Sequence, residues 1–148
     1  MVQIQFACDC DSVVLDQAQA RGAITSILND AGVRRGSISV AVVDDPVIHE
    51  LNRRYLEHDY PTDVLSFVLE RQGDLLEGEV IVSADTARRT AERLDWPAEH
   101  ELLLYIVHGT LHLAGYDDMD PESRARMRQQ ERRVLARAGI EAKYESVE

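Results

Sequence analysis

Apolar residues recur along this chain at every second position in some stretches and at every third and fourth in others. VQIQFAC (Val2 to Cys8) alternates apolar and polar residues, as a half-buried strand does. A helix is expected from about Val14 to Ala31, with Ile24, Ile27, Leu28 and Ala31 on one face and Gly32 ending it. SISVAVVDD (Ser37 to Asp45) reads as a second strand, followed by a short helix, PVIHELNRRYL. DVLSFVLE (Asp63 to Glu70) is a third strand entered through Pro61, and after an acidic loop GEVIVS (Gly78 to Ser83) is a fourth.

From Ser83 onward the period is helical. Ser83 caps a helix with Ala87, Ala91 and Leu94 on one face, and Trp96-Pro97 breaks it. The next helix, AEHELLLYIVHGTLHLAG, is apolar nearly all round from Leu102 to Val107, the mark of burial, and Gly115 ends it. Asp120-Pro121 supplies an N-cap and a proline at the first helical position of a last, arginine-rich helix. Its apolar stripe is narrow: Met127, Val134 and Ala138. Strands first and mostly helices afterwards predict an α+β fold, a small mixed sheet of about four strands packed with five or so helices. At 148 residues the chain is read as a single domain spanning 1–148.

No apolar run approaches the roughly 18 to 20 residues of a membrane span, and MVQIQFACDC carries no basic leader, so a cytosolic (cytoplasmic) protein with no membrane partner is expected. Cys8 and Cys10, the only cysteines, would share one side of a strand as small apolar residues, since C-x-C alone makes a poor zinc site. The net charge of −11 opposes general nucleic-acid binding, which rests on neutralising phosphates. A local basic patch is not opposed. The cations are arginines but for Lys143, and they cluster at 34–35, 53–54, 88–93 and 124–137.

The stretch HGTLHLAGYDDMD (His108 to Asp120) carries the candidate chemistry. His108 and His112, at i and i+4, share one face of the buried helix, about 6 Å apart along its axis. A buried imidazole needs partners at both ring nitrogens, and a metal ion provides one for each ring. Gly115 lets the chain turn back, so that Asp118 can approach the pair. Two histidines and a carboxylate leave positions open on the ion, as a catalytic site requires. The alternative is two core histidines bonded to backbone carbonyls, with Asp118 a turn residue. Asp117 competes with Asp118 for the third position.

Two families share this spacing. Metzincin proteases read H-E-x-x-H-x-x-G-x-x-H, with the Glu as general base; here Gly109 stands in its place, which disfavours a peptidase. HGTLHLAGYD instead resembles HGxLHLxGYDH, the signature of the YbeY family of bacterial endoribonucleases and ribosomal RNA maturation factors. LNRRYLEHDYPTDVLSF (Leu51 to Phe67) is similar to that family's LNxxYRxxDxPTDVLSF, GEVIVS to its GDIVIS, and EHELLLYIVHGTLHL to the run into its metal helix. The matches keep the family's order and cover about residues 40 to 138.

The resemblance implies an α+β domain holding one divalent ion, zinc above others, on His108, His112 and the residue at 118. It further implies a metal-dependent endoribonuclease selective for single-stranded RNA, acting on the 3′ end of small-subunit rRNA and in ribosome quality control. Such a protein would meet ribosomal particles or ribosomal proteins. This chain departs from the pattern twice. Asp118 replaces the usual histidine; a carboxylate is a legitimate ligand, though it lessens Lewis acidity and makes iron or manganese more plausible. Leu56 replaces an arginine of the active-site groove, and Arg53, three residues earlier on nearly the same helix face, is the substitute candidate against a plain surface charge. Asp117 is expected beside the metal, accepting a proton or orienting a histidine. Asp63, Ser66 and Phe67 receive supporting roles only. A ribosome-associated, metal-binding assembly factor with little nuclease activity is the alternative function, ahead of a metzincin-like hydrolase.

Overall fold

The helix with the most uniformly apolar sequence is laid directly on a four-stranded sheet. The computed structural model describes residues 2–56 and 63–144. Its elements are β1 (Val2–Cys8), α1 (Gln17–Asp30), β2 (Arg35–Val43), α2 (Asp45–Leu56), β3 (Val64–Gln72), β4 (Leu75–Ser83), α3 (Ala84–Leu94), α4 (Ala98–Leu113) and α5 (Pro121–Arg137). The sheet order is β1-β2-β4-β3, with β3 antiparallel to β4 and the other pairs parallel. This is the expected α+β architecture with a small mixed sheet.

Alternation along the strands sorts side chains between two faces. Ile38, Val40 and Val42 of β2 and Leu76, Val80 and Val82 of β4 face α1 and α4, where they meet Ile24, Leu28, Leu102, Leu103 and Ile106. The other face is covered only in part: Ile48 of α2 packs with Val43, Leu65 and Ile81. α4 approaches the sheet closely because Gly109 has no side chain. A Cβ there would lie 2.7 Å from Cγ1 of Val80 and 3.0 Å from Cγ2 of Val64.

Several boundaries differ from the sequence expectation, each for a local reason. α1 begins at Gln17 rather than near Val14, because the Asp16 carboxylate caps it by accepting from the Gln19 N–H at 3.0 Å. Val14 is left exposed. Asp44 and Asp45 leave β2 and open α2 instead, with the Asp44 carboxylate accepting from the Val47 N–H. The expected acidic loop is strand on both sides of a tight turn at Gly73-Asp74, so β3 and β4 form a hairpin with a bulge between Val68 and Glu70. β1 ends at Cys8; Cys10 lies past the strand rather than on it, and both thiols are free. The expected entry into β3 through Pro61 falls outside the described residues.

Candidate metal centre and the cavity beside it

α4 is buried along most of its length, yet the His108 and His112 side chains retain 25% and 28% of their exposure. His108 lines a cavity beside α4, and His112 lies one turn further along the helix. The sequence expectation of full burial is therefore corrected: the helix is buried and the two imidazoles are partly exposed.

The turn after α4 delivers the third group. Gly115 adopts φ 109°, its N–H donates to the His112 carbonyl at 3.1 Å, and the Tyr116 N–H donates to the Leu111 carbonyl at 3.0 Å. This paired termination reverses the chain, and only glycine takes that φ without strain. Asp118 is returned so that its Oδ2 lies 3.6 Å from Nε2 of His108 and 3.7 Å from Nε2 of His112. Arg124, in the first turns of α5, holds the backbone there by donating to the Asp118 carbonyl at 3.2 Å.

Hydrogen bonds on the far side of each ring decide what the inner nitrogens present. Nδ1 of His112 lies 3.1 Å from the Tyr116 carbonyl, which can only accept, and Nδ1 of His108 lies 2.6 Å from Oε2 of Glu131. Both Nδ1 atoms thus carry the proton, and in the neutral rings both Nε2 atoms carry lone pairs. Those two atoms face each other at 3.1 Å and share the Asp118 carboxylate. Three electron-rich atoms so placed repel one another unless a cation lies among them. Donors bonded at about 2.1 Å to one tetrahedral ion sit about 3.4 Å apart, close to the spacing seen. His108, His112 and Asp118 fit a divalent metal ion, with ligand atoms all within 4.8 Å of one another.

Glu131, on α5, is 1% exposed and uses both oxygens. Oε2 meets His108, while Oε1 accepts from the Tyr144 hydroxyl at 2.8 Å and from Nη1 of Arg128 at 3.4 Å. Burial first, and the Glu131 charge second, push the Tyr144 hydroxyl well above its ordinary value, so it remains a donor. The cavity beside the triad measures about 700 Å³ and is walled by α3, α4, α5 and the segment ending at Tyr144. On the α3 wall, Arg89 reaches Asp45 at 2.7 Å. Burial acts to raise the Asp45 carboxyl, but hydrogen bonds from Ser83, Thr86 and Arg89 outweigh it and hold the group below the usual carboxylate value.

Comparison with known proteins gives this geometry a family. The family model described as endoribonuclease YbeY matches residues 6–139. The chain belongs to the YbeY family. It is 43% identical over 142 residues to an endoribonuclease YbeY of Rhodopirellula baltica, covering 95% of this chain and 71% of that one. A second, from Salinibacter ruber, is 38% identical over 135 residues, covering 86% of each. Among solved structures, the solution structure of TM1509 from Thermotoga maritima superposes with a TM-score of 0.62 at 25% identity, covering 94% of this chain and 92% of that one.

The residues singled out from the sequence fall differently around the YbeY-type site. His108, His112 and Asp118 converge. Asp117 is exposed beside them, its Oδ1 accepting from the Met119 N–H at 3.2 Å. Arg53 donates to Glu50 at 2.8 Å and is not among the described residues that line the cavity. Asp63 does line it, while Phe67 meets Tyr55 edge to face at 6.1 Å. Leu56 is the last residue of α2. Sequence reasoning passed over Glu131, Arg128 and Tyr144. For Glu131 a signal was present: it lies four residues after Met127 and three before Val134, an acid on the narrow apolar stripe of α5. No comparable signal marks Tyr144.

Proposed function

We propose that this chain is a metal-dependent endoribonuclease that cuts single-stranded RNA during maturation of the 3′ end of small-subunit ribosomal RNA. One observation carries the reading: two histidine lone pairs and a carboxylate oxygen, 3.1 to 3.7 Å apart, converge on the edge of an open cavity. The family membership, with relatives that bear the name endoribonuclease YbeY, supplies the reaction class. A divalent ion bound there, zinc above others, would polarise a phosphoryl oxygen and make water a stronger nucleophile.

The protein's own residues prepare that chemistry. Glu131 and the Tyr116 carbonyl fix the Nδ1 protons, so that both Nε2 lone pairs point inward. Asp118 contributes negative charge, which favours retention of a cation. Asp117, beside the triad, is the candidate for accepting a proton or orienting water. Arg53 is retained as a candidate for phosphate binding, by way of its position before Leu56 on α2.

The net charge of −11 gives free RNA little general attraction, which favours presentation of the substrate by a ribosomal particle or ribosomal protein. Among the described residues no helix is long and apolar enough to cross a membrane. The reading places the enzyme in the cytoplasm as a single domain. The reading is tested by metal content and cleavage of single-stranded RNA in wild type and His112→Ala. Loss of both in the variant is expected, whereas equal metal and equal cleavage would sink it. Metal binding without cleavage, in a protein that still associates with ribosomal particles, would favour the assembly-factor alternative.

A further inference from the structure

We propose that Arg128 binds a phosphate of the RNA strand beside the His108–His112–Asp118 triad, with Tyr144 and Glu131 as the residues that position it. The inference rests on the nuclease reading and names a phosphate-binding cation that the sequence did not disclose.

Arg128, Glu131 and Arg132 follow one another on α5 at helical spacing, and the chain returns past them to bring up Tyr144. The guanidinium carbon of Arg128 lies 3.9 Å from the centroid of the Tyr144 ring. Stacking occupies the flat face of a guanidinium and leaves its edge, where the N–H donors are, uncovered. Arg128 donates from Nη1 to Oε1 of Glu131 at 3.4 Å, a long contact, and its side chain also meets the Tyr144 hydroxyl. The half-exposed side chain has further N–H groups that can donate the two parallel hydrogen bonds a phosphate accepts.

The charge balance points the same way. Arg128 pairs with Glu131 at 3.4 Å, the longest of that carboxylate's contacts, since Oε2 is engaged by His108 at 2.6 Å and Oε1 by the Tyr144 hydroxyl at 2.8 Å. Arg89, across the cavity, has its own carboxylate in Asp45 at 2.7 Å. The Lys143 ammonium donates to the Asp95 carbonyl at 3.3 Å. Arg128 keeps 50% of its side-chain exposure and lines the same cavity as His108 and Asp118. A stacked, half-exposed cation with spare donors on that wall is suited to hold an RNA phosphate at low entropic cost, since its rotamer is already fixed.

Binding of a short, fluorescently labelled single-stranded RNA to the full chain, in chelator so that nothing is cleaved, separates the possibilities. Arg128→Gln should weaken binding about tenfold at low salt and reduce the slope of log affinity against log salt by about 0.7, the share of one phosphate contact. Arg128→Lys should keep the slope but not the full affinity, because an ammonium lacks the forked edge. Zinc affinity and thermal melting, measured on the same variants, should stay at wild-type values. Wild-type affinity and slope in Arg128→Gln, with wild-type RNA binding and cleavage intact, overturn this inference alone. A wild-type protein that neither binds nor cleaves single-stranded RNA overturns the nuclease reading, and this inference with it.

Discussion

Nδ1 of His108 and Oε2 of Glu131 lie 2.6 Å apart, although the two residues belong to different helices and are 23 positions apart in the chain. The contact places a buried carboxylate behind a candidate ligand histidine, so the ring is held in one tautomer with Nε2 toward Asp118. Glu131→Gln should keep the shape and lose the charge. Metal affinity is expected to fall about 10- to 100-fold, as for other partners of ligating histidines. Competition with a metallochromic chelator measures this directly. Unchanged affinity would show that the contact serves packing alone.

The two adjacent aspartates should separate cleanly. Asp118 lies within 3.7 Å of both histidine Nε2 atoms, whereas Asp117 accepts from the Met119 N–H. Asp118→Asn should therefore lose bound metal, and Asp117→Asn should retain one equivalent. Elemental analysis of the two purified variants decides it, and the reverse result would assign the third position to Asp117.

The period of the apolar residues was enough to place all nine elements to within a few residues, because burial on α4 and alternation on the strands are local patterns. The convergence of His108, His112 and Asp118 was legible for a related reason: with Gly115 they lie within one helix end and its turn. What the sequence concealed depends on contacts between distant segments. Glu131 and Tyr144 reach the site only because α5 packs on α4 and the chain then doubles back. Arg53 is a candidate for its place on a helix face, and the fold adds an ion pair with Glu50 that the sequence did not announce. The hairpin turn at Gly73-Asp74 was hidden because Glu70, Arg71 and Gln72 before it are all polar, and strand pairing overrode their weak propensity.

Gly109 has a second meaning that its place in the motif did not reveal. Absence of a side chain there removes the base of a metzincin, and it also lets α4 settle on Val80 and Val64. Gly109→Ala puts a methyl group 2.7 Å from Cγ1 of Val80. Relief requires α4 or the valines to move, and overpacking of this kind costs about 1–3 kcal/mol. A lower melting temperature with weaker metal binding is the expected pair of results, because His108 is the next residue back. Double substitution of Gly109→Ala with Val80→Ala should recover part of the loss, and no recovery would argue against the packing explanation.

Asp45 predicts how the wall of the cavity responds to acid. Its carboxylate ties α2 to the start of α3, accepting from Ser83 and Thr86 and pairing with Arg89. Burial alone would raise the group, but these partners prevail and hold it below its ordinary value of 3.8. A carboxyl whose folded value is depressed stabilises the fold above the unfolded value, and that contribution is lost as pH falls through the folded one. Wild type should accordingly exceed Asp45→Asn in unfolding free energy at neutral pH. The gap should begin to narrow near the ordinary carboxylate value and close further in more acid solution. Denaturant melts of both proteins across that range provide the measurement. A gap that stays constant with pH would mean that Asp45 contributes through the shape of its hydrogen bonds and not through its charge.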